Sequence, residues 1–282
     1  MRRISVYLTL SLFFFLLFHI GTRAQEVVVP AGTLLHCTLD KPNFSSPAGD
    51  VSYKEGLMRG FLTLRTLQGE LLADGEITQV AEGDRVTDHL IFRFKDGSVY
   101  EDATIFSQSG SLRLLSDHLI ERGPSFKHPI ETSLNTSTGE VTAHYTDDDG
   151  KEKAVSQRLA LPADVANGLL FTLVKHIQPS APETTVSYVV TTPKARLVNL
   201  VIVPQGEEPI SHGTIKLKAM RYIIKVKTGG TARLLEGLMG KQPQSSQVWV
   251  IVGESPAFVK SEGPFYEGGP IWRVELSASA TY

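Results

Sequence analysis

Arg85-Val86-Thr87-Asp88-His89-Leu90-Ile91-Phe92-Arg93-Phe94, then Lys95-Asp96-Gly97-Ser98, then Val99 to Phe106, is the stretch that decides the fold. Val86, Leu90, Phe92 and Phe94 alternate with Arg85, Thr87, His89 and Arg93. A period of two places the apolar side chains on one face of an extended strand. Asp96-Gly97 supplies the positive φ of a tight turn, and the alternation then resumes, so the segment reads as an antiparallel hairpin.

The same pattern runs through the chain. Ser137-Thr138-Gly139-Glu140 and Asp147-Asp148-Asp149-Gly150-Lys151 are turns on either side of the strand Val141–Tyr145. Turn signals recur roughly every 10–15 residues, the rhythm of an antiparallel meander. No repeat of fixed period and no low-complexity tract is present.

One segment departs from it. Leu161-Pro162-Ala163-Asp164, followed by Val165, Leu169, Leu173 and Ile177, predicts a helix of about four turns over residues 163–177. Proline is tolerated in a first turn, and Asp164 is placed to favour the N-terminal dipole. Leu170, Phe171 and Val174 make the far side greasy as well, so the helix should be largely buried. Gly168 costs it about 1 kcal/mol against alanine, which packing must offset.

Pro179-Ser180-Ala181-Pro182 is a linker that divides the strands into two sub-blocks near 178–183. In the second, Ala195 to Val203 is nearly continuous apolar sequence, suggesting a strand covered on both faces. Thr214 to Lys227 is a long strand carrying Lys216, Lys218, Arg221, Lys225 and Lys227, read as the solvated side of an edge strand. Gly230 to Gly240 suggests a short helix, and strands at Gln247–Val252, Ala257–Ser261 and Ile271–Leu276 follow.

The N-terminus carries an address. Met1-Arg2-Arg3 is basic, Ile4 to Ile20 is apolar, and Gly21-Thr22-Arg23-Ala24 ends in small residues. That is the three-part design of a secretory signal peptide cleaved after about Ala24. It predicts an exported protein, periplasmic, and peripheral to a membrane at most. Residues 25–52 form an N-terminal strand and arm, and residues 53–282 the β domain. The formal net charge is −2 and becomes more negative once Arg2, Arg3 and Arg23 leave, so nothing favours nucleic-acid binding. Cys37 is the single cysteine, which excludes an intrachain disulfide. Its neighbour His36 and its distance from the apolar run argue against lipidation, so a buried structural thiol is expected.

Motifs for catalysis are missing. The eight histidines include no His-x-His and no helical i, i+4 pair, so no metal site is expected. There is no Gly-x-Ser-x-Gly elbow. Asp147-Asp148-Asp149-Gly150 lacks the alternate ligands of a calcium loop. Thr228-Gly229-Gly230 lacks the strict glycine pattern of a phosphate site. Asn43-Phe44-Ser45 and Asn135-Thr136-Ser137 are glycosylation sequons only in a eukaryotic secretory pathway. With no acid, base or nucleophile set in view, no cofactor and no enzymatic activity are expected.

The second half has the most distinctive wording. Leu161-Pro162-Ala163-Asp164-Val165-Ala166-Asn167-Gly168-Leu169, Ala195-Arg196-Leu197-Val198, Gly240-Lys241-Gln242-Pro243, Val248-Trp249-Val250 and Gly263-Pro264-Phe265-Tyr266-Glu267-Gly268-Gly269-Pro270-Ile271-Trp272-Arg273 stand out. In these the chain resembles exported bacterial β-proteins near the domain-of-unknown-function 3108 group. The resemblance implies a mainly β fold: a strongly curved antiparallel sheet, or half-barrel, with the 163–177 helix buried against its concave face. That architecture is similar to periplasmic lipoprotein carriers. Two functions suit it. One is a binding or carrier module for a lipid or lipoprotein, with Phe171, Trp249, Tyr266 and Trp272 lining a groove. The other is a structural or assembly factor of the cell envelope, working through sheet edges and loops.

Overall fold

The computed structural model describes residues 50–212, 215–227, 244–266 and 268–277. The leader, most of the arm, Cys37, the first sequon and the 230–240 segment lie outside them.

The hairpin grammar is realised throughout. Eight strands form the first meander: β1 (Met58–Thr66), β2 (Leu71–Glu82), β3 (Arg85–Phe94), β4 (Val99–Ser107), β5 (Arg113–Arg122), β6 (Ile130–Asn135), β7 (Glu140–Thr146) and β8 (Glu152–Arg158). The β3–β4 turn is closed at Asp96-Gly97. Gly97 takes φ 85°, and the Ser98 amide donates to Asp96 Oδ1 at 2.9 Å. A crossover follows, and six strands form the second meander. These are β9 (Thr184–Val190), β10 (Arg196–His212), β11 (Ile215–Val226), β12 (Ser246–Ile251), β13 (Ala257–Pro264) and β14 (Ile271–Leu276). The meanders join where β14 pairs with β1, giving one antiparallel 14-stranded sheet with β8 and β9 at its edges. The sheet is not closed into a barrel.

Curvature brings its distant parts together. One core cluster holds Val86, Phe106, Leu114, Leu134 and Val141 of β3–β7 together with Val186, Ile202, Tyr222, Val248 and Val250 of β9–β12. The crossover lies between them with Val165, Leu169, Leu173, Val174 and Ile177 buried in the same cluster. Register breaks at Leu64/Arg65, Ile105/Phe106, Pro204/Gly206 and Trp249/Val250 supply local bends. Tyr222 is fully buried, and its hydroxyl donates to the Ile177 carbonyl at 2.8 Å. Tyr222→Phe leaves that carbonyl without this donor and is expected to cost about 1–2 kcal/mol in urea unfolding.

The helix is shorter than expected. A 3-10 turn covers Asn167–Leu169, and α1 covers Leu170–His176. Residues 163–166 stay outside the helix because the edge of β9 competes for them: 163–164 form a turn and Val165 bridges to Ser187. Ser187 donates its amide to the Asp164 carbonyl at 3.2 Å, and Ala166 donates to Ser187 at 2.9 Å. The Asn167 carboxamide then gives and takes a bond with the Val189 backbone, at 3.0 and 2.9 Å. An unpaired strand edge needs partners, so this stretch serves β9 and not the helix. Asp164 therefore does not sit in the first helical turn.

Two strand readings are also refined. Leu200, Val201 and Ile202 are buried in succession, as a strand covered on both faces requires. The lysine-bearing β11, however, is no edge strand, because it pairs with β10 on one side and β12 on the other.

Candidate functional site

On the concave side of β2–β5 a polar band interrupts the apolar alternation. Gln79 on β2, Asp88 on β3, Thr104 on β4 and Asp117 on β5 are all buried, and Asp102 on β4 is partly so. The crossover meets this band with a matching stripe. Gly168, Thr172, Lys175 and His176 follow the i, i+4, i+7, i+8 spacing of one helix face.

At one end of the band the Gly168 amide donates to Asp117. The Thr104 hydroxyl reaches Asp117 Oδ1 at 3.0 Å and Asp102 Oδ1 at 3.2 Å. Burial, followed by the Asp117 charge and a hydrogen bond with Asp117, pushes the Asp102 carboxyl well above the ordinary range. Burial also raises Asp117, against bonds from Asp102, Thr104 and Gly168 and the charge of His118. Two buried carboxyls in contact hold a proton between them. One hydroxyl proton on Thr104 cannot serve both at once, which adds to that demand.

In the middle, Thr172 donates to Asp88 Oδ2 at 3.1 Å. Burial pushes Asp88 up to about 6, opposed by Thr172 and Lys175 and reinforced by Glu55. Gln79 and Asp88 stand opposite each other in the β2–β3 register, and Gln79 Oε1 and Asp88 Oδ1 have no donor among the described residues. A proton on Asp88 turns one of those two acceptors into a donor.

At the far end Glu55, from the segment before β1, meets Lys175 Nζ at 2.6 Å and His176 Nε2 at 3.1 Å. It also accepts from the Tyr53 hydroxyl at 2.9 Å and Gln79 Nε2 at 2.8 Å. His176 Nδ1 accepts the Ser52 amide at 3.2 Å, which leaves the ring proton on Nε2 for Glu55. Tyr53 stacks flat on the His176 ring at 4.2 Å. Burial opposes ionisation of Glu55, but the bond from His176 and the charge and bond of Lys175 outweigh it and hold its pKa down.

A second feature lies in the sheet wall. β13 pairs with β14 from Lys260–Glu275 to Pro264–Ile271. Before Lys260, β13 follows β12, with Phe258 opposite Val250. Beyond Glu275, β14 follows β1, with Leu276 opposite Leu62. The sheet forks there. A cleft of about 520 Å³ opens at the fork, lined by Thr63, Arg65, Pro209, Lys260, Glu275 and Leu276 among others.

The four residues singled out in the sequence fall in three places. Phe171 is 37% exposed on α1 and meets Phe258 edge-on at 5.5 Å, on the inner side of the fork. Tyr266 and Trp272 come together at 5.8 Å in a second core cluster with Phe92, Phe94 and Phe126. Trp249 points the other way, since its neighbours Val248 and Val250 both enter the main core. It is buried on the opposite face of β12 with Lys260 Nζ 3.8 Å above its ring and its Nε1 donating to Glu208 at 2.9 Å.

The polar band itself was missed, though a signal for it existed. Asp88 interrupts the apolar face Val86, Leu90, Phe92, Phe94, and Asp102 and Thr104 likewise stand between Tyr100 and Phe106. A carboxylate in register with core positions is either paired or neutral. Its partners on the crossover are some fifty to a hundred residues away, and only the fold reveals them.

The described residues thus define a mainly β protein built as an open, curved antiparallel sheet around one short helix. No described helix is long and apolar enough to cross a membrane, and no described group of three or more His, Cys, Asp or Glu could hold a metal ion. No family model and no curated protein matches the chain. Among solved structures it is similar to a beta-barrel-like protein of domain of unknown function DUF1849 from Brucella abortus. The two share 9% identity at a TM-score of 0.44, over 79% of this chain and 96% of that one.

Proposed function

We propose that this protein is an exported, non-catalytic carrier that binds an apolar or lipid-bearing ligand at the fork between β13 and β14. The fork carries the reading. A polar cleft on the outer face meets Phe171 and Phe258 on the inner side, so a polar head and an apolar tail each find a matching surface. Each buried CH₂ of such a tail contributes about 0.8 kcal/mol. The leader and the wording of the second half support the same assignment, to the periplasm and near the domain-of-unknown-function 3108 proteins.

Organic extraction of the purified chain followed by mass spectrometry should recover a lipid. A dansyl-labelled fatty acid should bind, and Phe171→Asp should weaken it by about tenfold or more, from the loss of a partly buried ring. Because Phe171 is already half-exposed, the melting temperature should hardly move. An empty extract together with no binding of the probe overturns the proposal.

A second reading rests on β8. It is the sheet edge opposite β9, and most of its side chains are exposed on both faces. An envelope assembly factor could present such an edge to a partner, although Glu152, Lys153 and Arg158 blunt it. Chemical cross-linking that maps to β8 in an extract-negative protein would favour this reading.

A further inference from the structure

We propose that the crossover carrying α1 is a proton-dependent latch, closed on the β2–β5 wall in mildly acidic medium and loosened as the medium turns neutral to alkaline. The proposal goes beyond the carrier reading and does not depend on it, because the latch operates in ligand-free protein.

The geometry comes first. The crossover touches the wall through ionisable partners at three successive points, all from one stripe of the helix. Gly168 meets the Asp102–Asp117 pair, Thr172 meets Asp88, and Lys175 with His176 meets Glu55. No aliphatic side chain can substitute at the first point, because a Cβ on Gly168 would overlap Thr104 Oγ1 and Asp117 Oδ1. On its other side α1 packs on β12 and β13. Loss of the polar contacts therefore frees one side of the helix while the other keeps its apolar hold.

The charged and titratable groups around the latch come from every packed element. β3 contributes Asp88, β4 Tyr100 and Asp102, and β5 Asp117, His118 and Glu121. Tyr188 comes from β9, Tyr53 and Glu55 from the arm, and Lys175 and His176 from α1 itself. Carboxyls dominate. Asp88, Asp102 and Asp117 are all held above their ordinary value by burial. Groups raised in this way stabilise the closed state fully below the ordinary carboxylate value and lose that contribution as pH rises through the shifted one. For Asp88 that passage is at about 6, and the pair continues the loss above it. Glu55 is held down, so its contribution is present above its ordinary value and lost as pH falls through the lowered one. The latch therefore tightens as pH falls through about 6 and slackens again only as pH falls through the lowered Glu55 value.

Amide hydrogen exchange read by mass spectrometry tests this. Peptides covering 165–177 are compared at pH 5 and pH 8 with β10–β11 peptides as an internal reference, after correction for intrinsic exchange chemistry. In the wild type, relative protection of 165–177 should fall by about tenfold from Asp88 alone, and by more with the pair. Asp88→Asn cannot ionise and keeps an acceptor for Thr172, so it should remove the Asp88 share. Asp102→Asn should remove the Asp102 share. If Asp102→Asn fails to fold, the wild-type profile and Asp88→Asn decide between them. Equal protection at the two pH values in the wild type, or an undiminished change in Asp88→Asn, overturns the proposal.

Discussion

Gly168→Ala should lower the unfolding free energy by about 2–4 kcal/mol, the sum of overpacking at a filled site and damage to a charged hydrogen bond. On an exposed helix the same change would gain about 1 kcal/mol. The sign is reversed here by the wall. An added methyl overlaps Thr104 Oγ1 and Asp117 Oδ1 and comes within 2.9 Å of Asp102 Oδ1. Thr104 and Asp117 are buried and cannot swing away into solvent, and the Gly168 amide must stay aimed at Asp117. Urea denaturation measures the effect through a shift of the midpoint at constant slope. A neutral or stabilised variant would mean that the 3-10 turn does not lie against the carboxyl pair, and the latch would fall with it.

Trp272→Ala should cost about 3–5 kcal/mol, as removal of a large buried ring generally does. Trp272 is 9% exposed and lies 5.6 Å from Phe94, 5.7 Å from Phe265 and 5.8 Å from Tyr266. Phe265 and Tyr266, just past the end of β13, supply two of those rings, so the residue ties β14 to β3 and β13. Thermal unfolding separates its two roles. A strongly lowered midpoint marks Trp272 as core, whereas an unchanged midpoint with lost binding of the labelled fatty acid would return it to a ligand groove.

Local periodicity reaches a long way in this protein. The alternation around Phe92 and the Asp96-Gly97 turn place β3 and β4 to within a residue, because a half-buried strand and a tight turn are both decided by neighbours in sequence. The helix fared worse at its start. Residues 163–166 have a respectable helical pattern, but the pull on them comes from Ser187 on β9, and no local rule sees that strand edge. Trp249 shows a different limit. Alternation assigns it to the face opposite Val248 and Val250, yet that face is also covered there, by Lys260 and Glu208. Burial alone did not say which side of the sheet it serves. The polar band was half legible, since Asp88 and Asp102 break apolar faces, but the helix stripe that answers them lies across the chain.

The seam between the two meanders has a consequence for how the chain reaches its fold. Every other pairing in the sheet joins strands consecutive in sequence. β1 and β14 instead join Leu62 to Leu276 and Thr66 to Trp272, so the whole intervening chain must be synthesised before these residues can meet. Closing so long a loop costs entropy that only the finished ladder repays, and pairings of this kind slow folding. Until then β1 and β14 each present an edge of unpaired backbone N–H and C=O groups to solvent and to other chains. The centre of the sheet is thus its pairing of longest sequence separation, and during biosynthesis an unpaired edge there is the place where one molecule can mistake another for itself.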